Sequence, residues 1–83
     1  MKDRLEINKF VGQAIKEARK SKNISQEKMA LLSNIDRTYA SALERGLKNP
    51  SLEVLLKISE GIDYPASKIV SRVEELVKDS TDK

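Results

Sequence analysis

The sequence predicts an all-α fold, five helices in one small domain. Three observations predict it. Apolar residues recur at three- and four-residue steps along the chain, the spacing of one face of a helix. Valine, isoleucine and threonine never alternate with polar residues for long enough to make a strand. Glycine and proline fall between the periodic segments, with Gly12 the exception. Neither a repeat nor a linker divides the 83 residues, so residues 1–83 read as a single domain. A chain of this size buries a limited core and gains from pairing with a second copy.

The first helix, about residues 8–21, follows from Ile7, Phe10, Val11, Ala14, Ile15 and Ala18, with Lys16, Glu17 and Lys20 facing out. Ser21-Lys22-Asn23 ends it, and Ile24 turns back into the core. Ser25 is placed to cap a second helix, about 26–32, that buries Met29, Ala30 and Leu32. Ser33-Asn34-Ile35 is a turn in which Asn34 suits the left-handed conformation. Asp36 caps a third helix, about 37–45, that buries Ala40 and Leu43, and Gly46 stops it. After the loop Leu47-Lys48-Asn49-Pro50, Ser51 caps a fourth helix, about 52–61. That helix turns Leu52, Leu55, Ile58 and Ile62 inward, with Gly61 at its end. Pro65 suits the first turn of a fifth helix, about 66–78, which carries Ile69, Val70, Val73, Leu76 and Val77. The polar tail 79–83 is expected to fray.

Composition narrows the function. Cysteine is absent, which removes disulfides and thiolate metal sites and fits a reducing compartment. Histidine is absent too, and with it the commonest general base and metal ligand. There is no Gly-rich phosphate loop, and the adjacent Glu74 and Glu75 diverge by about 100° around a helix. An enzyme is not expected, nor a metal or a cofactor. No apolar run approaches the roughly 18 residues of a membrane span, and the first residues are too polar for a secretory signal. The expectation is a soluble, cytoplasmic protein. Its net charge of +3 is uneven: residues 1–50 carry 11 basic and 6 acidic side chains, residues 51–83 carry 5 and 7. Such asymmetry suggests that one end faces a polyanion.

The second and third helices form a pair. Small Ala30 lets them cross closely, Asn34 sets their angle, and Ile35 locks them onto the core. That is the geometry of a helix-turn-helix. The third helix opens with polar, hydrogen-bonding side chains, which on a basic protein suits the major groove of DNA. Spacing alone, however, is shared with any helical hairpin.

The specific residues go further. Ser25-Gln26-Glu27, Met29-Ala30, Asp36-Arg37-Thr38-Tyr39, Glu44-Arg45-Gly46 and Asn49-Pro50-Ser51-Leu52-Glu53-Val54-Leu55-Leu56 together resemble the phage-repressor-like (XRE or Cro-type) helix-turn-helix family. The resemblance runs from about Val11 to Val70. Asp36-Arg37-Thr38-Tyr39, with Asp63-Tyr64-Pro65-Ala66-Ser67, is similar to the controller proteins of restriction–modification systems. The resemblance implies a lambda-repressor-like DNA-binding domain that regulates transcription as a homodimer on a roughly palindromic operator. Two positions depart from the family pattern: Ala40, where a larger aliphatic is usual, and Asn34, where glycine is usual.

Candidate roles follow residue by residue. Arg37 and Thr38 open the recognition helix, where arginine can donate twice to guanine and threonine can offer its methyl to thymine. Arg37 has a second reading, as a phosphate contact or a salt bridge with Asp36 or Glu27. Ser41 and Ala42 are further candidates for base contact along the exposed side. Tyr39 either bonds a phosphate or is partly buried between helices. The resemblance gives Gln26 a phosphate contact and a bracing role. Arg45 and Lys48 are phosphate candidates where the DNA backbone passes. Arg19 and Glu44 resemble a buried ion pair of the family, tying the first helix to the third.

For the dimer, the controller resemblance points to the fifth helix, with Ile69, Val73, Leu76 and Val77 at the interface; the other reading is that this apolar side packs internally on the fourth helix. Glu27, Glu53 and Glu60 are candidates for an RNA polymerase contact. The alternative function is a protein-interaction module on the same scaffold, an antitoxin or a bridging factor. The tail after the fifth helix is short for a toxin-binding segment.

Overall fold

Helix by helix, the computed structural model realises the five-helix plan; it describes residues 3–81. The helices are α1 (Arg4–Ser21), α2 (Gln26–Leu32), α3 (Arg37–Glu44), α4 (Leu52–Ile62) and α5 (Ala66–Thr81). The Ser25 hydroxyl accepts from the Lys28 amide at 3.0 Å, the Asp36 carboxylate from Thr38 at 2.6 Å, and the Ser51 hydroxyl from Val54 at 3.1 Å. Each satisfies a backbone donor that the helix cannot satisfy itself.

The first helix begins earlier than the apolar period suggests. Asp3 caps it by accepting from the Glu6 amide at 3.0 Å. The signal was local: Asp3 and Glu6 have the spacing of a capping box. The last helix continues to Thr81, so the segment expected to fray is helical as far as it is described; residues 82 and 83 lie outside the described residues. Asn34 takes the left-handed conformation with φ 56°, as the turn requires.

Helix α1 lies against α5 and α3, α2 lies against α3 and α4, and α4 touches α5 more lightly. The largest fully buried side chains among the described residues are Ile15, Met29, Leu43, Ile58, Ile62 and Ile69. Burying each contributes roughly 1.5–3 kcal/mol. Ala14, Ala18, Ala30 and Ala40 fill the gaps between them. Gly12 lies where α1 meets the end of α3: a Cβ there would collide with the Leu43 and Glu44 carbonyl oxygens. Its place inside a helix is explained by that approach.

Two expected core residues are outside. Leu32 is 44% exposed, because the inward line of α2 runs through Met29, Ala30 and the buried Ser33. Leu52 is 70% exposed, because it heads α4 one turn beyond the buried layer of Leu55, Ile58 and Ile62. Gly61, next to last in α4, lies at its end as expected and packs against Leu32 and Ser33.

Candidate nucleic-acid interface

The third helix is held from behind by a charged network. Arg19 donates through Nε to Glu44 Oε2 at 2.7 Å and through Nη2 to Oε1 at 3.0 Å, a two-pronged pair between α1 and α3. Its remaining Nη1 donates to the Ile24 carbonyl at 2.8 Å. Gln26 adds an N–H from α2 to Glu44 Oε1 at 3.1 Å. The Glu44 side chain is 2% exposed and that of Arg19 10%. The hydrogen bonds to Glu44 raise the Arg19 pKa above its ordinary value, against the cost of burial. One carboxylate thus fastens three elements, and the ion pair read from the sequence stands, with Gln26 as its third member.

The opposite side of α3 is open. Ala40 and Leu43 face the core, while Arg37, Thr38 and Arg45 are exposed and Ser41 is half-buried. Arg37 meets Glu27 of α2 at 3.3 Å, with the two side chains 66% and 75% exposed. A pair so solvated contributes about 0–1 kcal/mol and gives way to a better partner. Tyr39 is half-buried and packs against the core beside Ala40. It also lines a shallow hollow with Asp36, Thr38, Ala42 and Lys48. The fold therefore brings Thr38, Tyr39 and Lys48 together, although Lys48 comes from the loop after α3.

Ala42 does not lie on the exposed side. It is 7% exposed, because the loop folds back and the Leu47 amide donates to the Ala42 carbonyl at 3.0 Å. It lines the hollow with Thr38, Tyr39 and Lys48 rather than standing out on the open face of α3. Ile69 leaves the expected dimer face for a similar reason. It is 1% exposed in the core, and Val73 packs beside that core, since this side of α5 rests on the rest of the domain. Leu76 and Val77 are half-buried.

Two features escaped the sequence reading. Asn8 is 5% exposed and accepts from Asn49 Nδ2 at 2.8 Å. Its position three before Val11 and seven before Ile15 marks it as a polar residue on the inward stripe. The second is an apolar pair on the outer side of α4: Leu52 and Leu56, 70% and 52% exposed, line a hollow with Glu53, Lys57 and Glu60.

Comparison with known proteins agrees with this geometry. A family model described as "Helix-turn-helix" matches residues 15–69. Control protein C.MunI of Mycoplasma sp is 42% identical over 65 residues, covering 77% of this chain and 88% of that protein. Control protein C.BamHI of Bacillus amyloliquefaciens is 44% identical over 57 residues, covering 68% and 70%. The crystal structure of the restriction-modification controller protein C.AhdI from Aeromonas hydrophila superposes with a TM-score of 0.72 at 37% identity, covering 75% of this chain and 94% of that one.

Proposed function

The chain belongs to the helix-turn-helix family, and we propose that it regulates transcription by binding DNA sequence-specifically as a homodimer, in the manner of a restriction–modification controller. One observation carries the reading: α3 presents Arg37 and Thr38 outward on its first turn while its far end is locked from behind by Arg19, Glu44 and Gln26. A rigid backing with an open, hydrogen-bonding front is what base reading requires.

In this mechanism the first turn of α3 enters the major groove. Arg37 leaves Glu27 and donates twice to guanine O6 and N7, and the Thr38 methyl meets thymine. Tyr39, Lys48 and Arg45 bond phosphates beside it, and Gln26, oriented by Glu44, contributes its free N–H to another. Ser41 is placed for a further base contact one turn along. Two recognition helices then fall about one DNA turn apart on a roughly palindromic operator. The protein acts on DNA in the cytoplasm; among the described residues no helix is long and apolar enough to cross a membrane.

The dimer face is better supported on α4 than on α5. Leu52 and Leu56 are exposed there, one turn apart, flanked by Glu53 and Lys57. In an antiparallel pairing centred near Val54 and Leu55, Leu52 of one copy meets Leu56 of the other, and Glu53 meets Lys57. Such a self-complementary patch is what a two-fold interface demands. On α5 the apolar residues left open are Val70, 44% exposed, with Leu76 and Val77 half-buried. With Glu53 and Glu60 both lining that patch, no polymerase contact is assigned among Glu27, Glu53 and Glu60.

Selection of bound sites from random DNA, with the stoichiometry measured on the winner, tests the function. A symmetric consensus occupied by two chains supports it, and absence of any enriched sequence overturns it. For the interface, Leu56→Glu should convert the dimer to monomer in sedimentation equilibrium, with Val77→Glu much milder.

A further inference from the structure

We propose that Asn8, on α1, is a positioning residue for the DNA-backbone contact of Lys48. The inference rests on the DNA-binding reading above. Asn8 is buried on the inward stripe of α1, and its side-chain oxygen accepts from Asn49, 41 residues along the chain. A buried amide needs a partner, whereas an apolar side chain would have filled the same stripe without that demand. The asparagine therefore adds direction: it ties the loop between α3 and α4 to a fixed point.

The rest of that loop explains why the tie matters. Up to residue 47 the backbone is held by other means. Gly46, at φ 77°, packs on Lys9 so closely that a Cβ would lie 2.9 Å from the Lys9 Cα, and the Leu47 amide bonds to Ala42. At the other end, Ser51 is fixed as the cap of α4. Lys48 lies between these anchors, is exposed, and lines the hollow with Thr38 and Tyr39. The bond from Asn49 to Asn8, one residue further on, holds its backbone in register. A loop ordered before binding does not have to be ordered during it, so Lys48 waits beside the groove-facing residues of α3.

The test uses the full chain, a random-sequence DNA duplex and a titration of salt. Wild type should bind with affinity that falls steeply as salt rises. Asn49→Ala removes the tie from its exposed side and should weaken binding several-fold, lowering the log–log salt slope by roughly 0.9, the share of one phosphate contact. Lys48→Ala should do the same. The double variant should be no weaker than Lys48→Ala alone, a non-additivity that general loss of stability cannot produce. Thermal melting checks that Asn49→Ala remains folded; Asn49→Ser, which keeps a polar group but cannot span the distance, should behave like it. If wild type shows no salt-dependent binding, the DNA-binding reading itself fails. If wild type binds and Asn49→Ala matches it in affinity and slope, or adds fully to Lys48→Ala, the positioning role is overturned.

Discussion

Two arginine–glutamate pairs flank the recognition helix, and they differ in nearly everything except composition. Arg19 and Glu44 meet at 2.7 and 3.0 Å with almost no exposure, and Gln26 and a backbone carbonyl complete their hydrogen bonds. Arg37 and Glu27 meet once at 3.3 Å in solvent. The first pair is a fixture, because separating it would leave a charge in a place water does not reach. The second is a resting place, because water or a base can replace either partner at little cost. The difference teaches that burial, not the identity of the partners, separates a structural charge pair from one whose members are free to be exchanged.

The comparison breaks most visibly at the buried pair. Arg19→Ala should cost about 3–5 kcal/mol of folding stability, as expected when one member of a buried pair is stranded; urea denaturation reads it. Asp36→Ala, which uncaps α3 on the DNA side, should cost about 1 kcal/mol by the same measurement. Glu27→Ala should leave stability within about 0.5 kcal/mol of wild type. It should nevertheless raise affinity for DNA, because it frees Arg37 and removes a negative charge from the interface.

A third pair, between α1 and α5, gives the smallest effect and sharpens the rule through pH. Arg72 donates to Glu17 at 2.8 Å with both side chains partly solvated. That bond, with a second from Gln13, holds the Glu17 carboxyl below its ordinary value of 4.5. A depressed carboxylate contributes stability that is complete above the unfolded value and is lost as pH falls through the lower folded value. Arg72→Met, which also removes the 3.3 Å pair with Glu75, should therefore lower the melting temperature slightly at neutral pH, and the difference should shrink as pH falls through the lowered folded value of Glu17.

What could be read from the sequence was mainly local. Ser25, Asp36 and Ser51 declare their helix starts by residue type, and Asn34 declares a left-handed turn, because each acts within three residues of itself. Arg19 and Glu44 are 25 residues apart, and only the family resemblance joined them. Periodicity failed where a helix ends or a loop returns. It placed Leu52 inward although the core stops one turn short, and it left Ala42 outside although the following loop covers it. It also could not divide the apolar side of α5, where Ile69 serves the core and Leu76 and Val77 remain half open. Asn8 was visible as a polar residue on an apolar stripe, but its partner lies in a loop that no local pattern connects to it.

The account stands most directly on Arg37, and one ratio tests it: affinity for a site selected from random DNA against affinity for a random duplex, in wild type and in Arg37→Ala. The account predicts that the variant loses about 1–3 kcal/mol on the selected site and much less on the random duplex, so that discrimination collapses while general binding persists. Equal losses on both duplexes, or no loss on either, would contradict it and return Arg37 to the role of a phosphate contact or a surface charge.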